Sequence, residues 1–161
     1  MDDSLEYIAM CDCPEIQDIW EPAIGDWVSV REKVLWDGYN LCASKGDVTI
    51  VLGLDERGYS GNPIIGDVDD IAFYPECSWK GFDDTPKENL IWLPRQDQLQ
   101  AMYLAMMPAG TYTKVFTLIE EFYGHFEKYG YPSYAYSMEQ LWLAFAMKTL
   151  HNKTWSGTEW V

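Results

Sequence analysis

The apolar residues change their spacing at Leu93-Pro94, and that switch is the strongest restraint on what the chain can fold into. Upstream, short β-branched and aromatic runs recur: Trp27-Val28-Ser29-Val30, then EKVLW, YNLCA, VTIVLGL, DIAFY and NLIWL. Asp37-Gly38, Lys45-Gly46-Asp47 and a long Gly/Asn/Pro/Asp connection around residues 55–70 separate them. Runs of this length with such punctuation form antiparallel strands joined by turns. Downstream the repeat becomes three to four residues, the repeat of one helix face. A chain that is sheet first and helices afterwards belongs to the α+β class. The expected architecture is a central antiparallel sheet, curled or closing into a small open barrel, with an N-terminal helical lead and a C-terminal helical layer.

The lead covers residues 1–20, where Leu5, Ile8, Ala9, Ile16, Ile19 and Trp20 follow a helical repeat. Pro14 divides it into two short helices, since proline lacks the donor that a preceding turn requires. Residues 21–93 form a β-rich acidic part and residues 94–161 a helical part, all within a single domain of residues 1–161, long enough to bury a real core. Pro94 suits a first helical position, and Leu99, Met102, Tyr103 and Met106 make one stripe that Pro108-Ala109-Gly110 ends. A second helix is expected from about Thr111 to Tyr129, with Val115, Ile119, Phe122, Phe126 and Tyr129 inward and Gly130 closing it. Ser137-Met138-Glu139-Gln140 is a capping box, and the helix it opens is apolar on every face from Leu141 to Met147, which places it inside. The last residues read as a hairpin with a two-residue loop at Ser156-Gly157, pairing Trp155 with Thr158 and leaving Trp155 and Trp160 diagonal.

Charge bears on function. The net charge is −15, and residues 1–90 carry 20 Asp/Glu against 6 Lys/Arg, whereas residues 91–161 carry 6 against 5. Such a balance repels nucleic acid and anionic membranes, so neither is an expected direct partner. With Met1-Asp2-Asp3 at the start and no apolar run of spanning length, a cytoplasmic location is expected. Cys11, Cys13, Cys42 and Cys77 are then expected as reduced thiols.

Catalytic signatures are missing. There is no phosphate-binding glycine motif, no nucleophile elbow and no His-Glu-x-x-His pair. His125 and His151 are the only histidines, and His125, between aromatic neighbours on a helix, reads as packed or at a rim. Cys11-Asp12-Cys13 has a spacing too short for a zinc ligand pair, and Asp67, Asp69 and Asp70 lack the glycine and distal glutamate of a calcium loop. No catalytic residue, metal or cofactor is expected, and the chain is not expected to be an enzyme. Aromatic rings among carboxylates suit a protein interface, where rings anchor and charges steer. The candidate partner-binding residues are Asp55, Glu56, Asp67, Asp69, Asp70, Trp36 and Trp79.

The stretches IWLPRQDQLQAM (91–102) and SMEQLWLAFAMKTLHNKTWSGTEWV (137–161) are similar to a family of small uncharacterised proteins encoded by phages and prophages of Gram-positive bacteria. The Trp-x-Pro-x-x-Gly-Asp-x-Val run at Trp20–Val28 resembles the same group, while residues 31–90 have no counterpart. The resemblance implies phage or prophage origin and a host-cell cytoplasmic setting, and it brings no activity or catalytic residue. The expected function is non-enzymatic binding of a basic surface on a host or phage protein. In its narrower form this is a DNA-mimicking inhibitor of a nuclease or another defence or regulatory protein. The alternative is a small-molecule binding or sequestering protein for a nucleotide-like signal, with Arg31, Arg57 or Arg95 supplying the cations.

Overall fold

Pro14 fits only a helix's first turn, and the N-terminal stretch divides there as its sequence requires. The computed structural model describes residues 1–31, 34–36, 40–43, 46–54, 63–66, 87–106, 114–132 and 137–161. Helix α1 spans Leu5–Cys11 and α2 spans Pro14–Gln17, with Pro14 at the start of α2. The fold is α+β, and the chain gathers into two compact units: residues 11–93, and residues 1–10 with 94–161.

The 11–93 unit is built on an open antiparallel sheet. Strands β1 (Trp27–Val30), β4 (Val48–Leu54), β5 (Pro63–Gly66) and β6 (Leu90–Leu93) lie in the order β5-β4-β1-β6, and β2 (Val34–Trp36) pairs with β3 (Asn40–Ala43) separately. Among the described residues the sheet is not closed. Strand β5 falls inside the stretch expected to be a connection; its Pro63 is tolerated because it is the first residue of an edge strand. The DIAFY run lies outside the described residues.

Every residue of β6 is buried although β6 is an edge strand. Side chains close that edge. The Gln17 amide donates through Nε2 to the Trp92 carbonyl (3.1 Å) and accepts through Oε1 from the Trp92 N–H (2.9 Å), as a strand residue would. Arg31 Nε donates to the Leu90 carbonyl (3.2 Å). Both backbone groups of Trp92 are thereby satisfied away from β1, and the edge is no template for another strand.

The turn into β1 explains the Trp20–Val28 motif. Asp26, 4% exposed, accepts through Oδ2 from Trp20 Nε1 (2.8 Å) and from the Ala23 N–H (2.9 Å). Gly25 has φ of 92°, which favours glycine, and its N–H reaches the Val51 carbonyl (2.8 Å). Trp20 lies parallel to Trp92 at 6.3 Å, joining the turn to β6. Asp26→Ala would strand the buried Trp20 Nε1 and take the acceptor from the part-buried Ala23 N–H, and should lower unfolding stability by about 1–3 kcal/mol in a urea titration, with Asp26→Asn costing less because it keeps one acceptor.

In the other unit, α3 (Gln96–Met106), α4 (Lys114–Tyr129) and α5 (Met138–His151) pack with residues 1–10. Pro94 precedes α3 and is not its first residue. Arg95 takes the capping position, its N–H donating to Gln98 Oε1 (2.8 Å), so the proline sits one residue before the cap and outside the helix. Helix α5 begins as the capping box requires: Ser137 Oγ accepts from the Gln140 N–H at 3.1 Å. Trp142 through Met147 are all buried, and Leu141 is half-buried. Phe122 stacks on Trp142 (4.0 Å) and meets Phe145 edge-on (5.5 Å), while Tyr103 adds a ring at 4.9 Å from Phe145. The buried face of α4 is Leu118, Phe122 and Phe126; Ile119 and Tyr129, expected inward, are exposed. The i, i+4 row through Phe122 is the buried one because Phe122 meets Trp142 and Phe145 of α5 while Phe126 packs edge-on against Phe122.

Residues 1–10 are tied to α5 and the hairpin. Asp2 accepts from Ser137 Oγ and the Ser4 N–H, and Gln140 Nε2 donates to Ser4 Oγ (3.1 Å). Burial opposes the charged form of Asp2, but these hydrogen bonds prevail and lower its pKa. Trp155 Nε1 donates to Glu6 (3.3 Å) and Trp160 Nε1 to the Met10 carbonyl (2.8 Å). The hairpin register differs from expectation: Trp155 lies directly opposite Trp160 across a four-residue loop. Ser156 sets it, because its Oγ accepts from the Glu159 N–H (3.1 Å) and its N–H donates to the Glu159 carbonyl (2.9 Å). Phe145 is 1% exposed within this ring cluster, so Phe145→Ala should cost about 3–5 kcal/mol in denaturant unfolding.

Candidate functional site

A cleft of about 590 Å³ opens in the helical unit where the end of α4, the last turns of α5 and the hairpin come together. Its position follows from two chain breaks. Gly130, with φ of 81°, ends α4 and lets Tyr131 and Pro132 turn away, and Asn152, left-handed at φ of 54°, ends α5 and swings Lys153 to Ser156 back. The lining includes His125, Tyr129, Tyr131, Lys148, Lys153 and Trp155, and among the described residues no Asp or Glu. Two lysines and a histidine thus meet in a chain of net charge −15.

The rings are fixed by contact. Tyr131 stacks on Phe126 at 5.2 Å with planes 8° apart, and remains 63% exposed. His125 packs against Phe126 and Tyr129 at 5.0 Å and against Phe145 at 5.4 Å. It is the rim residue its sequence neighbours suggested. Lys128 lies over the Tyr129 ring at 4.7 Å and lowers the Tyr129 pKa through a hydrogen bond and its charge. Trp155 is buried and held by Glu6, so it forms a wall. Elsewhere in the unit Tyr103 donates to Glu121; burial, then that carboxylate, pushes the phenol up to about 12.

Of the sequence-expected binding residues, Asp55, Glu56, Asp67, Asp69, Asp70 and Trp79 lie outside the described residues. Trp36 ends β2 opposite Asn40. In the same unit Asp18, Glu21, Asp47 and Glu88 are exposed, and so are Ile19 and Ile24. Arg31 reaches Asp12 and the Leu90 carbonyl, and Lys87 donates to the Trp20 carbonyl while covering its ring. The arginines expected to line a small-molecule pocket do not line the cleft: Arg31 is engaged as above, Arg95 pairs with Asp97, and Arg57 lies outside the described residues. Lys148 was missed because a basic residue in the last turn of a helix is already explained by its dipole, and Lys153, just past the Asn152 cap, because it reads as part of the hairpin. Cys11 is buried and Cys13 half-buried, both as thiols; Cys77 lies outside the described residues. Among the described residues no group of three His, Cys, Asp or Glu is placed to hold a metal ion, and no helix is long and apolar enough to cross a membrane. No protein-family model, curated protein or solved structure matches the chain.

Burial is the first cause that lowers the His125 pKa below 6.5, and the charges of Lys148 and Lys128 add to it. A depressed histidine is protonated in the unfolded chain before the folded one, so folding is opposed as pH falls through 6.5 toward the lowered value. Lys128 and Tyr129 on α4 and Lys148 on α5 are the titratable or charged neighbours that face it. His125→Gln should therefore lose less urea-unfolding stability than wild type between about pH 7.5 and about pH 5. Equal losses in both proteins would contradict the assignment.

Proposed function

We propose that this is a non-enzymatic acidic protein of phage or prophage origin that binds a basic surface of a host or phage protein in the cytoplasm. The observation that carries the reading is the charge of the 11–93 unit, which holds 17 Asp/Glu against 6 Lys/Arg. Its two described cations, Arg31 and Lys87, are turned onto backbone carbonyls, while Asp18, Glu21, Asp47 and Glu88 face solvent. Exposed Ile19 and Ile24 among those carboxylates give a partner apolar contact as well as charge. A surplus of carboxylates over cations also resembles DNA phosphate in charge, which favours a DNA-binding nuclease or regulator as the partner. The resemblance at Ile91–Met102 and Ser137–Val161 supports the phage origin.

Association steered by charge is fast at low salt and slows as the Debye length falls from about 10 Å at 0.1 M to about 3 Å at 1 M. Capture of host or phage proteins on the immobilised chain should therefore weaken with salt. Replacing Asp67, Asp69 and Asp70 by Asn, or Asp18, Glu21 and Glu88 by Asn and Gln, should lower the association rate by about tenfold while leaving the unfolding midpoint within about 0.5 kcal/mol of wild type. Wild-type rates in both triple variants, with a complex indifferent to salt, would reduce the acidic surface to a solubility device.

A further inference from the structure

We propose that the cleft of the helical unit binds a small aromatic anion of the mononucleotide class, with Lys148 and Lys153 meeting the phosphate and Tyr131 stacking on the base. A volume of about 590 Å³ falls within the size of small-ligand sites, roughly 300–1,000 Å³. The lining decides the charge of the occupant. Lys148 and Lys153 come from two different segments, α5 and the hairpin, and among the described residues no carboxylate shares the lining. Among the described residues no carboxylate lies within ion-pair distance of Lys148. Its charge reaches His125, which burial already disfavours as a cation. An anion placed between them would relieve that repulsion and gain charge-assisted hydrogen bonds.

The aromatic half of the ligand follows from Tyr131. One face of its ring lies on Phe126, and the ring is 63% exposed at the cleft mouth. A ring braced from behind is a stacking platform obtained at little cost in conformational freedom. Thr154, exposed beside it, adds a hydroxyl within the same lining. Size and net charge oppose a polymer: a nucleic acid would bring its phosphates against a chain of charge −15, whereas a single phosphate answers mainly to the groups it touches. This site shares no residue with the acidic surface and stands or falls separately from it.

Titration of the full chain with AMP, adenosine and inorganic phosphate, read by calorimetry and by the histidine ring-proton resonances, tests the proposal. AMP should bind saturably with a Kd below about 1 mM, more tightly than adenosine or phosphate. Lys148→Gln should weaken AMP by about tenfold to a hundredfold and leave adenosine unchanged. Tyr131→Ala should weaken AMP and adenosine and leave phosphate unchanged. Should Lys148→Gln fail to fold, Lys153→Gln carries the same comparison. The His125 signals should move on AMP addition while those of His151, outside the lining, stay still. No saturation by AMP, phosphate binding as tightly as AMP, wild-type affinity in both lysine variants, or shifts confined to His151 would each overturn it. The Asp67/Asp69/Asp70→Asn variant should bind AMP like wild type, so failure of the acidic-surface reading leaves this result intact.

Discussion

One carboxylate holds the 11–93 unit together. Asp26 is the acidic residue that the chain buries most fully among those described, at 4% exposure, and a charge is not taken out of water without compensation. Trp20 Nε1 and the Ala23 N–H both converge on Oδ2, which fixes the turn that delivers Trp27 to the sheet. Strand β1 is the interior strand between β4 and β6, so the register of both neighbours depends on where that turn ends. Gly25 and Asp26 also trade backbone hydrogen bonds with Val51, so the turn and β4 are set together. The Trp-x-Pro-x-x-Gly-Asp-x-Val run is thus a folding device.

The helical unit uses a different currency of contact. Its interior is mostly rings, with Phe122 touching Phe126, Trp142 and Phe145, and Phe145 touching Tyr103 and His125 as well. Edge-on and offset arrangements of this kind favour particular geometries over simple burial. That directionality turns α4 so that Phe122 and Phe126 face inward and leaves Phe116, Ile119 and Tyr123 exposed. Trp155 and Trp160 close the same unit by donating to Glu6 and Met10, so the buried helix is latched by indole N–H groups as well as by apolar area.

What could be read in the sequence is what local rules decide. Pro14, Gly130 and Ser137 act on their own neighbours, and α2, the end of α4 and the start of α5 fall where those residues put them. The strands at Val48–Leu54 and Leu90–Leu93 were visible because both runs are dominated by β-branched, aliphatic or aromatic residues. Strand β5 was hidden because Pro63 and its glycine-rich flanks look like a loop; only pairing with β4 makes PIIG a strand. The hairpin register was missed because the Ser156 side chain bonds across to Glu159 and so closes a four-residue loop that still holds Gly157 at a positive φ. The cleft had no sequence signature at all. Its residues come from positions 125 to 156 on three segments, and each has an ordinary local explanation.

The two electrostatic features of the chain obey different ranges. A surplus of carboxylates over a whole unit acts through the summed field, which reaches about a Debye length, roughly 8 Å at physiological ionic strength. It can steer a large basic surface, because many charges add over a broad face. A small anion inside a cleft is governed by the groups in contact with it, since screening weakens the distant carboxylates far more than the adjacent lysines. Lys148 and Lys153 can therefore present a locally positive lining within a strongly acidic chain. The acidic surface would act mainly on how fast a macromolecule arrives. The cleft would act on how long a small ligand stays, through contacts that salt weakens less. A shared dependence on salt would be the sign that one field, and not two separate sites, governs both.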